Sequence, residues 1–382
     1  KARNETLKRA TGEWIIVLDA DERFRGPNPA MIRRFLEPGP NHPWQALMLN
    51  VVNTNLDGSP ISSFFSVRVF PNDERLGYSG RVHNRFGPLI EGAPKIDAKR
   101  YLDLEVVHFG YDPQIYAARK KAARSLPLIE ATVQEEPNNH QQRYYLGREY
   151  LLLDRVPEAT QELNTAFSGI VHDGSGPLIE AATHLMQALA RSQAPTAEVL
   201  SVGQRALSKH PEHPDLWFEV GRAMARNEDY ANAANALERA LACLDQAVID
   251  GQVRLRHHRW EAHELLGNLY WQLQQYPQAY GHYLKTIETN KPEQSTGWPQ
   301  MLNSVCALAI ELGDTDRISG LLDRLLAHPD APLGMFFFQL NRVAQAQGIE
   351  AARKMLMDGC NRCARMREDA EYASAAQRLG LS

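Results

Sequence analysis

Two aspartates separated by a single residue follow a short apolar run near the start of the chain. The run covers residues 13–18 (EWIIVL), and Asp19 and Asp21 come directly after it. Such a run is typical of a strand buried on both faces of a parallel sheet, so we predict both carboxylates at the carboxyl end of a central strand, where open α/β sheets bind ligands. Two carboxylates there can share a divalent cation and, through it, a diphosphate. The alternative is a solvated acidic turn after the strand. The residues around Asp19 and Asp21 must distinguish between a cation site and such a turn.

The elements around this pair alternate between strand-like runs and Gly/Pro turns. Further strands are predicted for residues 44–54, 64–70 and 101–107, and a short helix for residues 29–36. Residues 1–10 have a helical pattern with no strand before them. We therefore predict an α/β domain with an incomplete sheet over residues 1–111, and we expect that part of this domain precedes the chain.

Strand patterns disappear after residue 111. Asp112 is a predicted N-cap with Pro113 in the first helical position, and this helix should connect the two regions over residues 112–137. Pro127 lies within it and is expected to kink or break it. Residues 138–382 are rich in Ala, Leu, Gln and Arg, which predicts an all-α domain.

Three glycine–alanine pairs in the helical region share one spacing. Each alanine stands 12 residues after its glycine: Gly147 and Ala159, Gly221 and Ala233, Gly267 and Ala279. With their aromatic and apolar neighbours, these pairs resemble the tetratricopeptide repeat, in which small residues let the two helices of a hairpin approach closely. The resemblance implies a solenoid with at least four antiparallel helix pairs and with the alanines buried. Weaker pairs are predicted within residues 178–210, 301–327 and 336–360.

The first part of the chain resembles family 2 glycosyltransferases with the A-type fold. Six segments match that family's pattern in its order: ARNETL (2–7), ATGEWI (10–15), LDADE (18–22), RVFPN (68–72), YSGRVH (78–83) and VHFGY (107–111). Any one of them alone would be weak, and their order makes the resemblance specific. It implies an enzyme that moves a sugar from a nucleoside-diphosphate donor to an acceptor.

The resemblance also implies roles for particular residues. Asp19 and Asp21 would hold Mn²⁺ or Mg²⁺ and, through the cation, the diphosphate of the donor. Arg3 and Asn4 would lie close to the nucleotide or the donor sugar. His108 matches a position that completes the metal shell in many A-type enzymes; the alternative is a histidine at a strand end bonded to a backbone carbonyl.

The catalytic base departs from the family pattern. Family members commonly have Val-His-Glu at the position where this chain has Val82, His83 and Asn84. An amide cannot accept a proton, so either His83 or Glu91 replaces the missing carboxylate, or the acceptor needs no strong base. The repeats would bind a protein, peptide or glycan acceptor, or a partner protein. The alternative function is a non-catalytic interaction scaffold built on the helical repeats.

Composition narrows the classes of partner and compartment. A formal net charge of -4 argues against nucleic-acid binding. No apolar run approaches the length of a membrane span. The four cysteines (Cys243, Cys306, Cys360 and Cys363) are too few for a disulfide framework, which favours a cytoplasmic protein. The C-x-x-C spacing of the last two is expected to be part of a helix face. Because the chain begins inside a helix, we expect it to be inactive on its own.

Overall fold

The computed structural model describes residues 2–26, 33, 36, 44–80, 85–93, 95–110, 121–246, 253–289, 297–314, 317–327 and 333–381. Most of the predicted helix at residues 29–36, together with Asp112 and Pro113, lies outside these ranges. The chain divides into two compact units, one of Lys1–Glu228 with Asn235–His258 and one of Asp229–Ala234 with Arg259–Ser382. A small partial α/β domain is followed by helical repeats, as predicted.

Seven strands and one helix make up the described α/β region. The helix is α1 (Ala2–Leu7), and the strands are β1 (Trp14–Ile16), β2 (Glu22–Arg25), β3 (Gln45–Thr54), β4 (Pro60–Pro71), β5 (Leu76–Ser79), β6 (Arg85–Pro88) and β7 (Asp97–His108). Five strands form one sheet in the order β1-β4-β3-β7-β2, while β5 and β6 form a second. Only the β3–β7 pair of the described strands is parallel.

The prediction of a central parallel strand before Asp19 is wrong for the described sheet. The strand β1 has three residues and lies at the sheet edge, antiparallel to β4. Ile15 is opposite Phe70 and is buried with it, whereas Ile16 is 42% exposed. Successive side chains of a strand point to opposite faces. On the face opposite Ile15, Trp14 is partly buried against the core, so this face is covered only at the first residue of β1. The fully apolar run therefore forms a half-buried edge strand.

Fifteen α-helices are present in the described residues. After α1 they are α2 (Lys121–Glu135), α3 (His140–Leu152), α4 (Val156–Asp173), α5 (Leu178–Arg191), α6 (Thr196–Leu207), α7 (Pro214–Arg226), α8 (Tyr230–Gln246), α9 (Arg259–Gln272), α10 (Tyr276–Thr289), α11 (Trp298–Glu311), α12 (Ile318–Ala327), α13 (Leu333–Gln347), α14 (Ile349–Arg362) and α15 (Ala370–Arg378). From α3 to α14 they follow one another as six pairs joined by connections that are mostly short, which confirms the predicted minimum of four. The three weaker pairs correspond to α5/α6, α11/α12 and α13/α14.

Pro127 does not break the connecting helix, so that part of the prediction is wrong, and a kink at Pro127 stays a prediction. It lies inside α2, on the exposed side, so its ring does not enter the core. Ile129 and Val133 follow it on the buried face, at 0% and 6% exposure. Their burial continues the helix past the one backbone hydrogen bond that proline cannot donate.

The small residues of the repeats are located where close helix contact requires them. Ala159, Ala233 and Ala279 are all fully buried, as predicted. A Cβ added to Gly147 would lie 2.6 Å from Cγ of Leu163, on the second helix of the same pair. A Cβ added to Gly267 would lie 2.5 Å from the ring of Tyr283, again on the second helix of the same pair. These distances are too short for any side chain, so glycine sets the separation of the two helices.

The α5/α6 pair reverses this arrangement. Met186 is the large residue on the first helix, and Gly203 is the small one on the second. A Cβ added to Gly203 would lie 3.2 Å from the Met186 methyl group and 2.6 Å from Cγ2 of Val220 on α7, so this glycine also allows close approach of the next pair. The turn inside the pair still contains a left-handed residue, Gln193 (φ 57°). Asp154, Glu228 and Gln274 adopt the same conformation in the three pairs that match the sequence pattern. The turn is thus retained where the glycine–alanine spacing is lost.

Candidate functional site

The pairing of β2 with β7 brings Asp21 and His108 together. Glu22 is opposite His108 in the register, so the residue before β2 lies beside the last residue of β7. Oδ2 of Asp21 is 3.5 Å from Nε2 of His108, and the amide of Phe109 donates to the Asp21 carbonyl. The predicted proximity of these two side chains is confirmed, although Asp21 follows an edge strand.

A buried amide orients the His108 ring. Nδ1 of His108 lies 2.7 Å from Oδ1 of Asn53, whose own amide nitrogen donates to Oγ of Ser62 at 2.8 Å. Because Asn53 presents its oxygen to the ring, Nδ1 is the donor and Nε2 keeps its lone pair in the neutral histidine. The lone pair and the Asp21 carboxylate are therefore on the same side of the ring, and this orientation is common among histidines that bind metals.

The backbone at Gly110 approaches this pair closely. A Cβ at this position would lie 2.5 Å from Nε2 of His108 and 2.7 Å from Oδ2 of Asp21. Any other residue would occupy the space that both acceptor atoms face. One carboxylate oxygen and one imidazole nitrogen suit Mn²⁺ or Mg²⁺, which take their remaining ligands from water and substrate phosphates. The residues present thus fit a divalent cation.

Asp19 has a different partner from Asp21. Nη2 of Arg3 donates to both carboxylate oxygens of Asp19 at 2.7 Å. In the part of the chain that the structure describes, no three His, Cys, Asp or Glu side chains are grouped as a metal site. The structure therefore brings together two of the three predicted metal ligands, and a metal role for Asp19 stays a prediction.

A buried ion pair fixes the turn that contains both aspartates. Glu22 accepts from the Asp19 amide through Oε2 (2.9 Å) and from Nη2 of Arg68 through Oε1 (2.7 Å). The Glu22 and Arg68 side chains are 2% and 8% exposed. Both residues lie within the motifs LDADE and RVFPN, but the motifs predict no role for either. Nothing in a single sequence indicates that these two would pair.

Asn4 attaches α1 to β5. Its amide group donates to the Tyr78 carbonyl at 2.9 Å and accepts from the Tyr78 amide at 2.8 Å. The guanidinium group of Arg3 lies 5.2 Å from the centre of the Tyr78 ring, and burial raises the pKa of that phenol. Asn4 therefore acts as a positioning residue in this structure, because both polar atoms of its side chain are used to hold Arg3 near Asp19.

The predicted base residues are not placed in this cluster by the structure. His83 and Asn84 lie outside the described residues. Glu91 lies in an exposed turn after β6, which belongs to the two-stranded sheet. A base role for His83 or Glu91 stays a prediction.

Four further histidines and the four cysteines have structural contacts or are buried in the described part of the chain. His257 hydrogen-bonds to Oγ of Ser63 and His258 to the Ile61 carbonyl, while His263 and His282 form a buried pair with their Nδ1 atoms 3.0 Å apart. All four cysteines are free and buried, and burial raises the pKa of Cys306 to about 12. None of the described helices is long and apolar enough to cross a membrane.

Comparison with known proteins gives a distant glycosyltransferase relative. No family model matches the chain. The chain is 25% identical over 174 residues to the SPbeta prophage-derived glycosyltransferase SunS of Bacillus subtilis (strain 168), and equally to glycosyltransferase SunS of Bacillus phage SPbeta. The match covers 44% of this chain and 38% of each relative. The chain therefore spans well under half the length of the curated relatives it matches.

Solved structures with some likeness to the chain include helical repeat proteins. Pseudomonas aeruginosa PilF has 15% identity and a TM-score of 0.42, covering 62% of this chain and 96% of its own. TTC0263, a tetratricopeptide protein of Thermus thermophilus, has 23% identity and a TM-score of 0.35, covering 46% of this chain and 86% of its own. The repeat architecture of this chain is established by its own six helix pairs.

Proposed function

We propose that the chain is part of an enzyme that transfers a sugar from a nucleoside-diphosphate sugar to an acceptor. The observation that carries the proposal is the pairing of Asp21 with His108 beside Gly110, since it places a carboxylate oxygen and an imidazole nitrogen 3.5 Å apart, where no side chain at position 110 comes between them. The distant similarity to a glycosyltransferase supports the reaction class. Assignment to family 2 with the A-type fold belongs to the same proposal.

Each residue of the cluster has a proposed role. Asp21 and His108 would hold Mn²⁺ or Mg²⁺, and Asn53 would orient the His108 ring so that Nε2 points towards the cation. The cation, when bound, supplies a Lewis acid that stabilises negative charge on the departing diphosphate. Arg3 places a positive charge beside Asp19 for the phosphates. His83 or Glu91 would accept the acceptor's proton, and the repeats would bind the acceptor or a protein partner.

Manganese binding tests the site directly. Titration of the full chain with Mn²⁺, followed by electron paramagnetic resonance, should show one site that is lost in Asp21→Asn and in His108→Ala. Asp73→Asn is the matched control, because it removes one carboxylate in the same region, where Asp73 pairs with Arg75. Equal binding by all four proteins would contradict the metal site.

Donor binding tests the reaction class. Saturation-transfer NMR with a panel of nucleotide sugars should show Mn²⁺-dependent contact to the diphosphate-linked sugar in the wild-type chain and none in Asp21→Asn. If Mn²⁺ binds and no nucleotide sugar does, the transferase proposal fails and an interaction scaffold is favoured.

A further inference from the structure

Residues 253–258 form a short segment after α8 that contacts the sheet. We call it the histidine clip, since its last two residues are His257 and His258. Nε2 of His257 lies 2.9 Å from Oγ of Ser63, and Nε2 of His258 lies 2.8 Å from the carbonyl oxygen of Ile61. Both contacts are made with β4, in the sheet that carries the candidate metal site.

The histidine clip is held by the repeats as well. Both carboxylate oxygens of Asp215, on α7, accept from its backbone: Oδ2 from the Arg254 amide and Oδ1 from the Leu255 amide, each at 2.8 Å. Val253 and Leu255 are buried, at 2% and 0% exposure. The repeat helices therefore help to set the positions of the two histidines that reach β4.

His258 binds β4 at a β-bulge. The register of β3 with β4 shifts by one residue just after Asn53, which is opposite Ser62, so that Ile61 is an extra residue of β4. A carbonyl oxygen can only accept, and Nε2 of His258 is therefore the donor to Ile61. Bulges are common next to active sites, where they change the direction of a side chain. This hydrogen bond holds the extra residue in place.

The bulge lies next to a row of polar side chains that crosses the sheet. Asn53 is opposite Ser62 on one side and opposite His108 on the other. Its amide nitrogen donates to Oγ of Ser62 at 2.8 Å, and its Oδ1 lies 2.7 Å from Nδ1 of His108. Opposite residues of neighbouring strands have side chains on the same face. The alignment of β4 therefore decides which hydroxyl supports Asn53, and through it the ring of His108.

The local sequence of β4 does not choose between two alignments. Ser62 and Ser63 are adjacent and identical, so a slip by one residue would still present a hydroxyl to Asn53. Burial lowers the pKa of His257, so the neutral ring can donate to the Ser63 hydroxyl or accept from it. Together with the hydrogen bond at the bulge, this contact retains the alignment in which Ser62 is opposite Asn53.

We infer that His257 and His258 are positioning residues for the candidate metal site, because they fix the part of β4 that supports Asn53 and, through it, His108. This role rests on the proposed function in taking His108 as a metal ligand. It gives the repeats a second task, which is to hold a supporting strand of the site, besides the proposed binding of an acceptor or partner. Orientation of the His108 ring itself requires no metal.

Two substitutions of His258 separate its hydrogen bond from its volume. His258→Phe keeps a ring and removes the donor to Ile61, whereas His258→Gln keeps a donor nitrogen. His184→Phe is the matched control, because Nδ1 of His184 lies 2.7 Å from the Glu180 carbonyl oxygen within α5 and its loss perturbs a different contact of the repeats. Asn53→Ala, alone and combined with His258→Phe, tests whether the histidine acts through Asn53.

Mn²⁺ titration of the full chain, followed by electron paramagnetic resonance, measures the effect. Residues that support a metal ligand commonly change metal affinity about 10–100-fold, and His258 acts one residue further away, so we expect about a threefold to tenfold loss in His258→Phe. His258→Gln and His184→Phe should bind as the wild type does. The double variant should bind no more weakly than Asn53→Ala alone, because both changes act on one contact. Additive losses, or equal losses in His258→Phe and His184→Phe, would overturn the inference.

The tautomer of His108 gives a readout that needs no metal. Long-range proton–nitrogen NMR of the metal-free chain should show the proton on Nδ1 of the neutral ring in the wild type and in His258→Gln. His258→Phe should show a mixture of both tautomers. A general loss of stability, as in His184→Phe, would leave the tautomer unchanged. A single, unchanged tautomer in His258→Phe would overturn the inference.

The positioning role and the proposed function fail separately. If the wild-type chain binds no Mn²⁺, the proposed function fails, and the tautomer of His108 alone decides the role of the histidine clip. If Mn²⁺ and a nucleotide sugar bind, and His258→Phe changes neither Mn²⁺ affinity nor the tautomer, the transferase stands and the positioning role is removed. His257→Phe should give changes in the same direction, and it keeps the test valid if His258→Phe does not fold.

Discussion

The α/β region and the helical repeats are held together by different kinds of contact. In the α/β region, the decisive contacts are polar and join residues far apart in sequence, such as Glu22 with Arg68 and Asp21 with His108. In the repeats, they are apolar and local, such as Gly147 against Leu163. A polar contact requires its specific partner, whereas an apolar contact requires only matching volumes. The α5/α6 pair shows this tolerance, because Met186 and Gly203 exchange the large and small roles.

Removing Glu22 from its buried ion pair with Arg68 should change the free energy of unfolding more than any other substitution considered. We expect Glu22→Ala to lower the free energy of unfolding of the α/β region by about 3–5 kcal/mol, because Arg68 would be left as a buried, unpaired charge. Urea titration read by hydrogen exchange in β2 and β4 measures it. Glu5→Ala, which breaks an exposed ion pair with Lys8, should leave stability unchanged. Equal effects of the two substitutions would show that burial does not decide how much an ion pair contributes to the stability of the α/β region.

Acid should destabilise the repeats through their buried histidines. Burial lowers the pKa of His184 and of His213 to about 4 from the ordinary 6.5. Between pH 6.5 and 4 the unfolded chain binds protons at these histidines and the folded chain does not. The free energy of unfolding that the two neutral histidines contribute is therefore fully present above pH 6.5 and is lost as the pH falls towards 4. Each histidine can contribute up to about 3 kcal/mol.

Urea unfolding at pH 7.5, 6 and 5 measures the dependence. His184→Asn should reduce the change between pH 7.5 and 5, and His172→Asn, at an exposed position, should not. An unchanged pH dependence in His184→Asn would contradict the contribution assigned to His184.

Asn53→Ala tests the proposed metal site without changing either proposed ligand, Asp21 or His108. The substitution removes the acceptor for Nδ1 of His108, so the ring loses its fixed orientation. Substitutions of such supporting residues commonly reduce metal affinity by about 10–100-fold, and we expect a Mn²⁺ loss in that range. Asn50→Ala on the same strand is the control, since its amide donates to Glu105 instead. Equal Mn²⁺ affinity of the two variants would contradict the proposed role of Asn53.

Two glycine substitutions in neighbouring helices should give small effects of opposite sign. Gly267→Ala would place a Cβ 2.5 Å from the Tyr283 ring and should destabilise the α9/α10 pair by about 1–2 kcal/mol. Gly281→Ala has no atom within 4 Å of the new Cβ and should stabilise α10 by about 0.5–1 kcal/mol. Thermal unfolding should show a lower midpoint temperature for Gly267→Ala and a higher one for Gly281→Ala than for the wild-type chain. Destabilisation by both would mean that backbone conformation, and not helix separation, selects glycine here.

The sequence alone predicted the repeats well, because their contacts recur at fixed spacing. The Gly-to-Ala distance of 12 located three pairs and the burial of Ala159, Ala233 and Ala279. The same spacing could not predict the α5/α6 pair, in which Met186 on the first helix is large and Gly203 on the second is small. A large residue on one helix and a small one on the other have no fixed spacing in the sequence. The continuation of α2 through Pro127 also depended on a core that local propensity does not include.

For the α/β region, the sequence determined which residue types are available, and the tertiary structure decided which of them meet. The motifs supplied Asp19, Asp21 and His108, and their order indicated a sugar-transfer site. The register of β2 against β7 alone placed Asp21 beside His108, while Arg3 bound Asp19. The supporting contacts of Asn53 and Gly110 were likewise set by strand pairing. Hydrogen bonds and charges at a site require alignment to within a few tenths of an ångström, and only the completed sheet provides it.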